Sequence, residues 1–240
     1  MIYNWLKNSL FSFFSNQCLL CLTPTQNSRL LCSGCEKDLP KNGFHCIICS
    51  TPFPSSHSQN NALTCGRCQK KPPHYTTSII PHIYSSPLKQ LISQFKFHHN
   101  LSYAPLLAHS FIESVKERKN NLPECIIPVP LHSERLRERG FNQALELARI
   151  ISKQLKIPLD YSLSQRNKAT PFQSGLSAKQ RKQNLKNAFS INKNRHYKHV
   201  AIFDDVVTTG TTVNELAKQL KQNGVEIIEV WAIARTENKN

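Results

Sequence analysis

Hydrophobic and polar positions follow two different patterns along the chain. Before residue 73 apolar residues are scattered among cysteines, whereas later short apolar runs alternate with segments of helical spacing. This alternation predicts an α/β fold with a parallel sheet flanked by helices. The proline pair at 72–73 marks an extended connector, so we expect a module at 1–72 and a larger domain at 73–240. Predicted strands are 77–84, 125–129, 159–163, 200–203 and 225–234, and predicted helices are 1–14, 87–97, 102–116, 140–156, 177–187 and 213–222.

One strand–turn–helix stretch carries an unusual run of acidic and hydroxyl side chains. The strand at 200–203 is followed by the acidic pair, Asp204 and Asp205, and then by the threonine loop, residues 208–212, which contains Gly210. A helix start attracts anions through its free N–H groups and dipole, and glycine lets backbone amides approach a phosphate. Carboxylates instead accept hydrogen bonds from sugar hydroxyls or from the water shell of Mg²⁺. The stretch predicts a sugar-phosphate site. Helix capping by the same residues is the simpler alternative, and a Walker P-loop is excluded because no Gly-Lys-Ser/Thr follows.

Eight of the nine cysteines form four Cys-x-x-Cys pairs before residue 70. Two such pairs supply the four thiolates of a zinc ribbon, and a closed site of this kind is structural and adds folding energy. Pairing in sequence order is the simplest arrangement, while interleaved sites and iron–sulfur or redox chemistry stay open. Reduced thiols favour a cytoplasmic protein, and no apolar run is long enough to span a bilayer. The expected zinc ligands are Cys18, Cys21, Cys32 and Cys35 in one set and Cys46, Cys49, Cys65 and Cys68 in the other.

The chain is strongly basic, with a formal net charge of +16. A charge of this size favours a polyanionic partner such as nucleic acid, nucleotides or pyrophosphate. No acidic residue lies between Asp160 and Asp204, so this basic interval is expected to shape the field of the phosphate site, to bind nucleic acid, or both. The candidate DNA contacts within it are Lys179, Arg181, Lys182 and Lys186.

Two further segments carry candidate chemistry. The arginine segment, residues 128–143, follows a predicted strand, and its arginines suit bidentate binding of pyrophosphate. A solvated loop neutralised by Glu134 and Glu138 is the alternative. Residues 166–177 are polar and rich in turn formers, which fits either a lid over the site or an ordinary surface loop.

Together these pieces resemble the ComF family of competence proteins over nearly the whole chain. The resemblance is carried by the cysteine pairs, Lys96-Phe97, Pro128-Val129-Pro130, Arg139-Gly140-Phe141-Asn142-Gln143, the pattern Thr170, Gln173, Leu176, Arg181 and Asn184, and the 204–212 stretch. It implies a fold like the type I phosphoribosyltransferases with an N-terminal zinc ribbon. The family tends to have a glycine shortly after Lys-Phe, whereas His98-His99-Asn100 follow here, which leaves the role of Lys96 open.

The 204–212 stretch resembles the loop that binds phosphoribosyl pyrophosphate (PRPP) in type I phosphoribosyltransferases. In that family the acids hold the ribose hydroxyls and the threonine–glycine turn holds the 5′-phosphate, with Mg²⁺ accompanying PRPP. The implied PRPP-binding residues are Asp204, Asp205, Val206, Val207, Thr208, Thr209, Gly210, Thr211 and Thr212, and the implied pyrophosphate contacts are Lys96, Arg135, Arg137 and Arg139.

Three functions fit the resemblance. The first is a competence role in DNA uptake and natural transformation, acting on internalised single-stranded DNA in the cytoplasm with the PRPP–Mg²⁺ site retained. The second is an active phosphoribosyltransferase that moves ribose 5-phosphate from PRPP to a nitrogenous base. Asp204 and Asp205 would then be catalytic, with Asp205 assisting a proton or the developing cation. The third is an adaptor for helicase or recombination proteins that uses bound PRPP as a metabolic cue.

Overall fold

The computed structural model describes residues 17–25, 30–54, 63–97, 100–118, 121–167 and 187–237, except the side chain of Phe97. The helix predicted at 1–14 lies outside these residues, as does the one at 177–187 apart from its last residue. In the described part of the chain, no helix combines the length and apolar character needed to cross a membrane.

A parallel sheet forms the centre of the molecule, as the alternating pattern predicts. The strand order is β1–β7–β6–β3, with β2 also paired to β7, and every pairing in this sheet is parallel. The long strands β6 and β7 remain in register from His199 opposite Ile227 to Val207 opposite Arg235. The bounds are Thr77–Ile79 for β1, His82–Ile83 for β2, Cys125–Pro128 for β3, His199–Val207 for β6 and Ile227–Arg235 for β7.

Helices cover both faces of this sheet, and strand alternation divides the core between them. Successive side chains of a strand point to opposite faces, so Phe203 joins the cluster packed by α3, α4 and α6, whereas Ile202 joins the one packed by α7. The helices are α1 Ser33–Lys37, α2 Gly66–Lys70, α3 Leu88–Phe97, α4 Ala104–Val115, α5 Ser133–Arg139, α6 Gln143–Leu155 and α7 Thr211–Gln222, with a 3₁₀ turn at Leu101–Tyr103 before α4.

Three local predictions need correction. The central strand continues to Val207 instead of ending at residue 203, because β7 keeps pairing with it beyond the apolar run. The strand predicted at 159–163 is wrong: Leu159 makes a single parallel bridge to Ile126, and the strand that follows, β4 (Ser164–Arg166), pairs antiparallel with β5 (Phe189–Ile191). The arginine segment contains a short helix, α5, where no helix was predicted before residue 140.

The cysteine-rich module is docked against the edge of the sheet. Asn42 N donates to Pro81 O at 2.7 Å, and Thr77 Oγ1 donates to Ile47 O at 2.7 Å. The buried hydroxyls of Ser50 and Ser78 lie 2.8 Å apart. Because the second pair of cysteine knuckles shares a core cluster with Ile202 and Val230, the module packs as part of the same interior.

Candidate functional site

The acidic pair lies near the carboxyl end of β6, the edge at which parallel α/β sheets bind ligands. The backbone N–H of Asp205 donates to Asp204 Oδ1 at 2.9 Å, and that of Val206 donates to Asp205 Oδ1 at 2.6 Å. These bonds hold both carboxylates against their own strand. Asp205 is 7% exposed, and Asp204 is partly buried.

The two carboxylates differ in their electrostatic surroundings. Loss of solvent and the neighbouring charge of Asp205 raise the pKa of Asp204 from 3.8 to about 7, while the ammonium group of Lys96 opposes this shift. The Nζ of Lys96 lies 2.8 Å from Asp205 Oδ2, and both side chains are largely buried. Lys96, which the family resemblance assigned to pyrophosphate, therefore reaches the acidic pair from the last turn of α3.

The threonine loop forms the start of α7. Gly210 is the N-cap residue and has φ of 76°, a left-handed conformation that a glycine adopts without strain. The hydroxyls of Thr209 and Thr211 lie 2.8 Å apart. Thr208 is exposed, whereas the Val207 side chain is buried in the core, so Val207 offers a ligand only its backbone.

The three arginines of the arginine segment differ in burial. Arg135 and Arg139 are half-buried and one helical turn apart on α5, whereas Arg137 is exposed. Burial lowers the pKa of Arg135, and the nearby charge of Arg139 lowers it further. The guanidinium of Arg139 donates from Nη1 to Gln143 Oε1 at 3.2 Å.

Arg166, which was not among the predicted site residues, joins this basic group. Burial lowers the pKa of Arg166, the charge of Arg135 adds to that effect, and the charge of Asp204 opposes it. Arg166 therefore lies within electrostatic reach of both the arginine segment and the acidic pair. Its sequence signals were its place in the basic interval and its position at the start of the polar segment 166–177, which was predicted as a lid or a surface loop.

A cavity of about 520 Å³ opens between the arginine segment and β4. Its lining includes Phe141, Asn142, Tyr161, Gln165 and Arg166. A larger cavity, about 760 Å³, lies between the first zinc-ribbon knuckles and helices α4 and α6, and none of the predicted site residues lines it. The smaller cavity is lined by residues of the arginine segment and by Arg166, but not by the acidic pair or the threonine loop.

The cysteines form two four-thiol clusters in sequence order. Within each cluster the sulfur atoms lie within 4.8 Å of one another. The Sγ atoms of Cys21 and Cys32 are 3.7 Å apart, as are those of Cys49 and Cys65. A tetrahedral ion with Zn–S bonds of about 2.3 Å requires sulfur separations of roughly 3.8 Å. The residues therefore fit zinc, and each closed Cys₄ set has a structural role.

Hydrogen bonds around one thiol favour its metal-binding form. Cys21 Sγ and Thr23 Oγ1 lie 3.2 Å apart, and hydrogen bonds with Thr23, Cys35 and Cys18 together lower the pKa of the Cys21 thiol to about 6. The thiolate, which is the form that binds zinc, is then favoured at neutral pH.

The candidate DNA contacts Lys179, Arg181, Lys182 and Lys186 lie outside the described residues. The same holds for the lid predicted at 166–177, apart from Arg166 and Asn167.

Comparison with known proteins gives matches along the chain. A family model described as "Phosphoribosyl transferase domain" matches residues 142–239, and one described as "Double zinc ribbon domain" matches residues 10–69. "Competence protein F" of Haemophilus influenzae is 42% identical over 94% of this chain and 100% of its own length. "DNA utilization protein YhgH" of Escherichia coli K12 is 37% identical over 91% of this chain and 96% of its own length. "Competence protein ComFC" of Bacillus subtilis is 24% identical over 81% of this chain and 79% of its own length.

A solved structure, the "Crystal structure of purine phosphoribosyltransferase from Pyrococcus horikoshii Ot3", is 20% identical and covers 55% of this chain and 82% of its own. The TM-score of this match is 0.32.

Proposed function

Because this chain belongs to the ComF family of competence proteins, we propose that it serves DNA uptake by acting on internalised single-stranded DNA in the cytoplasm, with a PRPP–Mg²⁺ site on its larger domain. The observation that carries the PRPP site is the position of the acidic pair and the threonine loop. They lie one after the other at the carboxyl end of β6, with cationic side chains close to them.

Each part of this site suits one part of PRPP. The carboxylates of Asp204 and Asp205 accept hydrogen bonds from the ribose hydroxyls. The backbone N–H groups at the start of α7 and the threonine hydroxyls hold the 5′-phosphate. Arg135 and Arg139, joined by Arg166, attract the pyrophosphate. Bound Mg²⁺ neutralises part of the pyrophosphate charge.

The DNA part of the proposal rests on charge and on the family. A formal charge of +16 favours association with a phosphate backbone. The relatives named for competence and DNA utilization match this chain over both the zinc-ribbon and the phosphoribosyltransferase regions. Bound PRPP would report the supply of nucleotide precursors to helicase or recombination partners.

The DNA proposal is tested by fluorescence anisotropy with a labelled single strand in a salt series. Reversing the charge of Lys179, Arg181, Lys182 and Lys186 together is expected to weaken binding and to flatten the salt dependence, by about 0.7 in log–log slope for each lost phosphate contact. Asp204→Asn with Asp205→Asn serves as the control and should leave DNA affinity unchanged. Salt-independent binding, or equal affinity of the charge-reversed variant, would remove the DNA role.

Phosphoribosyl transfer is the second candidate function, and the raised pKa of Asp204 favours it. A carboxyl group with a pKa of about 7 can exchange a proton at neutral pH, as general acid–base catalysis requires. The 520 Å³ cavity beside Arg166 falls within the range of about 300–1,000 Å³ that is typical of small-molecule sites. Release of pyrophosphate from PRPP in the presence of a pool of nitrogenous bases tests this function, and no release with any base would exclude transfer to that pool.

A further inference from the structure

Two guanidinium groups connect the second zinc site to the carbonyl groups of Val207, at the end of β6, and of Thr209, in the threonine loop. Arg67 follows the zinc ligand Cys65 by two positions, and its Nη1 donates to Thr209 O at 3.1 Å. Arg235 ends β7, and its Nη1 donates to Val207 O at 2.9 Å. The same Arg235 side chain donates from Nε to Cys49 O at 3.0 Å, so the carbonyl groups of a zinc ligand and of Val207, the residue before the loop, accept from one guanidinium.

Arg235 is held rigidly because it is wholly buried. Its exposed fraction is 0%, and its three hydrogen bonds to Cys49 O, Thr51 Oγ1 and Val207 O all go to uncharged acceptors. A buried cation is costly unless its donors are satisfied. Any movement of the Cys49 or Val207 carbonyl group would leave one of these donors unpaired.

The connector between the two parts of the chain adds contacts to the same loop. The buried ring of Tyr75 brings its hydroxyl to within 3.7 Å of the point where a Cβ on Gly210 would lie. His74 N donates to Asn214 Oδ1, in the first turn of α7, at 2.7 Å. The threonine loop and the start of α7 are therefore also held by contacts from the side of the second zinc site.

The bond to Thr209 O has a directional consequence. In a planar trans peptide the C=O of one residue and the N–H of the next point in opposite directions. With Thr209 O turned toward Arg67, the N–H of Gly210 points away from the zinc site. Gly210 is the N-cap of α7, so this N–H is one of the free donors that a phosphate would use.

We propose that Arg67 and Arg235 are positioning residues through which the second zinc site, Cys46/Cys49/Cys65/Cys68, holds the threonine loop in its anion-binding shape. The proposal deepens the proposed function, since the loop's ligand is taken to be the 5′-phosphate of PRPP. In this arrangement the zinc ribbon contributes to small-molecule binding without touching the ligand. The first zinc site has no such connection among the described residues.

The test uses the full zinc-loaded chain without ligand and measures ¹⁵N order parameters of the amides at 208–212. In the wild type these amides are expected near about 0.85, the value of rigid backbone, and in Arg67→Ala below about 0.6. Arg67→Lys should recover part of the rigidity, because an ammonium group still donates to Thr209 O. Lys70→Ala, an exposed cation on the same helix, is the matched control and should match the wild type. Arg67 is itself exposed, so the Arg67 variants are expected to fold and to keep both zinc ions.

Unchanged order parameters in Arg67→Ala, or an equal loss in Lys70→Ala, would overturn the proposal. A second measurement, calorimetry with PRPP–Mg²⁺, is expected to show about a tenfold loss of affinity in Arg67→Ala at constant zinc content. If the wild type does not bind PRPP, the proposed function fails, while the order parameters still decide whether the zinc site braces the loop.

Discussion

Asp204 and Asp205 are neighbours in sequence, yet the fold gives them different electrostatic environments. Asp205 is paired with Lys96 at 2.8 Å, whereas the pKa of Asp204 is raised by desolvation and by the adjacent charge. A carboxyl group with a pKa of about 7 can exchange a proton at neutral pH. This arrangement therefore places the ion pair with Lys96 at Asp205 and the group suited to proton exchange at Asp204.

We predict that PRPP–Mg²⁺ affinity rises as the pH rises through about 7, the pKa of Asp204. Below this pH the carboxyl is protonated and accepts hydrogen bonds from the ribose hydroxyls poorly, and above it the carboxylate accepts them well. Calorimetry in wild type and Asp204→Asn at pH 6, 7 and 8 measures the effect. The phosphates of PRPP also titrate, so the difference between the two profiles is the relevant quantity. Parallel profiles would contradict this role of Asp204.

The ligand-free protein should show the opposite trend. A folded-state pKa of about 7, raised from 3.8, means that the folded chain binds this proton more tightly than the unfolded chain. The contribution of Asp204 to stability is therefore fully present below about pH 4 and is lost as the pH rises through about 7. Urea unfolding of wild type and of Asp204→Asn at pH 5 and pH 8 checks the sign of this pH dependence.

Lys96→Met should raise the pH at which the affinity for PRPP–Mg²⁺ increases, because the lysine lowers the pKa of Asp204.

At the scale of elements, Asn142 fixes the geometry of the arginine segment. Its Oδ1 accepts from Leu145 N at 3.3 Å as the N-cap of α6, and its Nδ2 donates to Val129 O at 3.1 Å, just beyond β3. One side chain thus joins a strand end to a helix start and closes the segment that carries α5. Gly140, which has a left-handed backbone conformation with φ of 67°, ends α5 between Val129 and Asn142.

We predict that Asn142→Ala lowers the free energy of unfolding by about 1 kcal/mol, the usual cost of removing an N-cap side chain. Asn142→Asp keeps the capping oxygen and loses only the hydrogen bond donated to Val129 O. Its stability should therefore lie between that of the wild type and that of Asn142→Ala. Urea unfolding measures the free energy of unfolding of both variants, with an m-value that should equal that of the wild type. Equal stability of Asn142→Ala and the wild type would show that the cap does not hold this segment.

The order of elements could be predicted from the sequence, because it depends on local patterns. Hydrophobic periodicity predicted the parallel sheet and most of its helices, and cysteine spacing predicted the zinc ribbon. The end of β6 could not be predicted, since it depends on pairing with β7 and not on the apolar run alone. The position of β4 could not be predicted, because its partner β5 lies more than 20 positions away in the sequence, within the same basic interval.

The whole molecule combines two sequence regions in one interior. The contact from Arg67 to Thr209 spans 142 positions, and no local pattern could predict it, because it depends on how the zinc ribbon docks on the sheet. The proximity of Lys96 to Asp205 depends in the same way on the packing of α3. The domain boundary at 72/73 stays a prediction, as do the PRPP, pyrophosphate and DNA residues.

We predict that the purified chain contains two zinc ions. After removal of the zinc by a strong chelator, we expect a protease to cleave the ribbon at 17–72 before it cleaves the region that forms the sheet. A small polar module held by metal loses its folding energy when the metal is removed. Elemental analysis and limited trypsin digestion, with mapping of the first cuts, measure both effects. A chain that holds no zinc, or a chelated ribbon that resists trypsin as well as the loaded one, would contradict the structural role of the metal.

Calorimetry of PRPP–Mg²⁺ with zinc-loaded protein is the most direct test of the proposed site. We expect saturable binding with one PRPP per chain, lost in Asp204→Asn with Asp205→Asn and unchanged in the control Asp38→Asn, which alters an exposed acid outside the site. Zinc content should be equal in all three proteins. Absence of binding by the wild type at millimolar PRPP, or undiminished binding by the double variant, would contradict the assignment of this site.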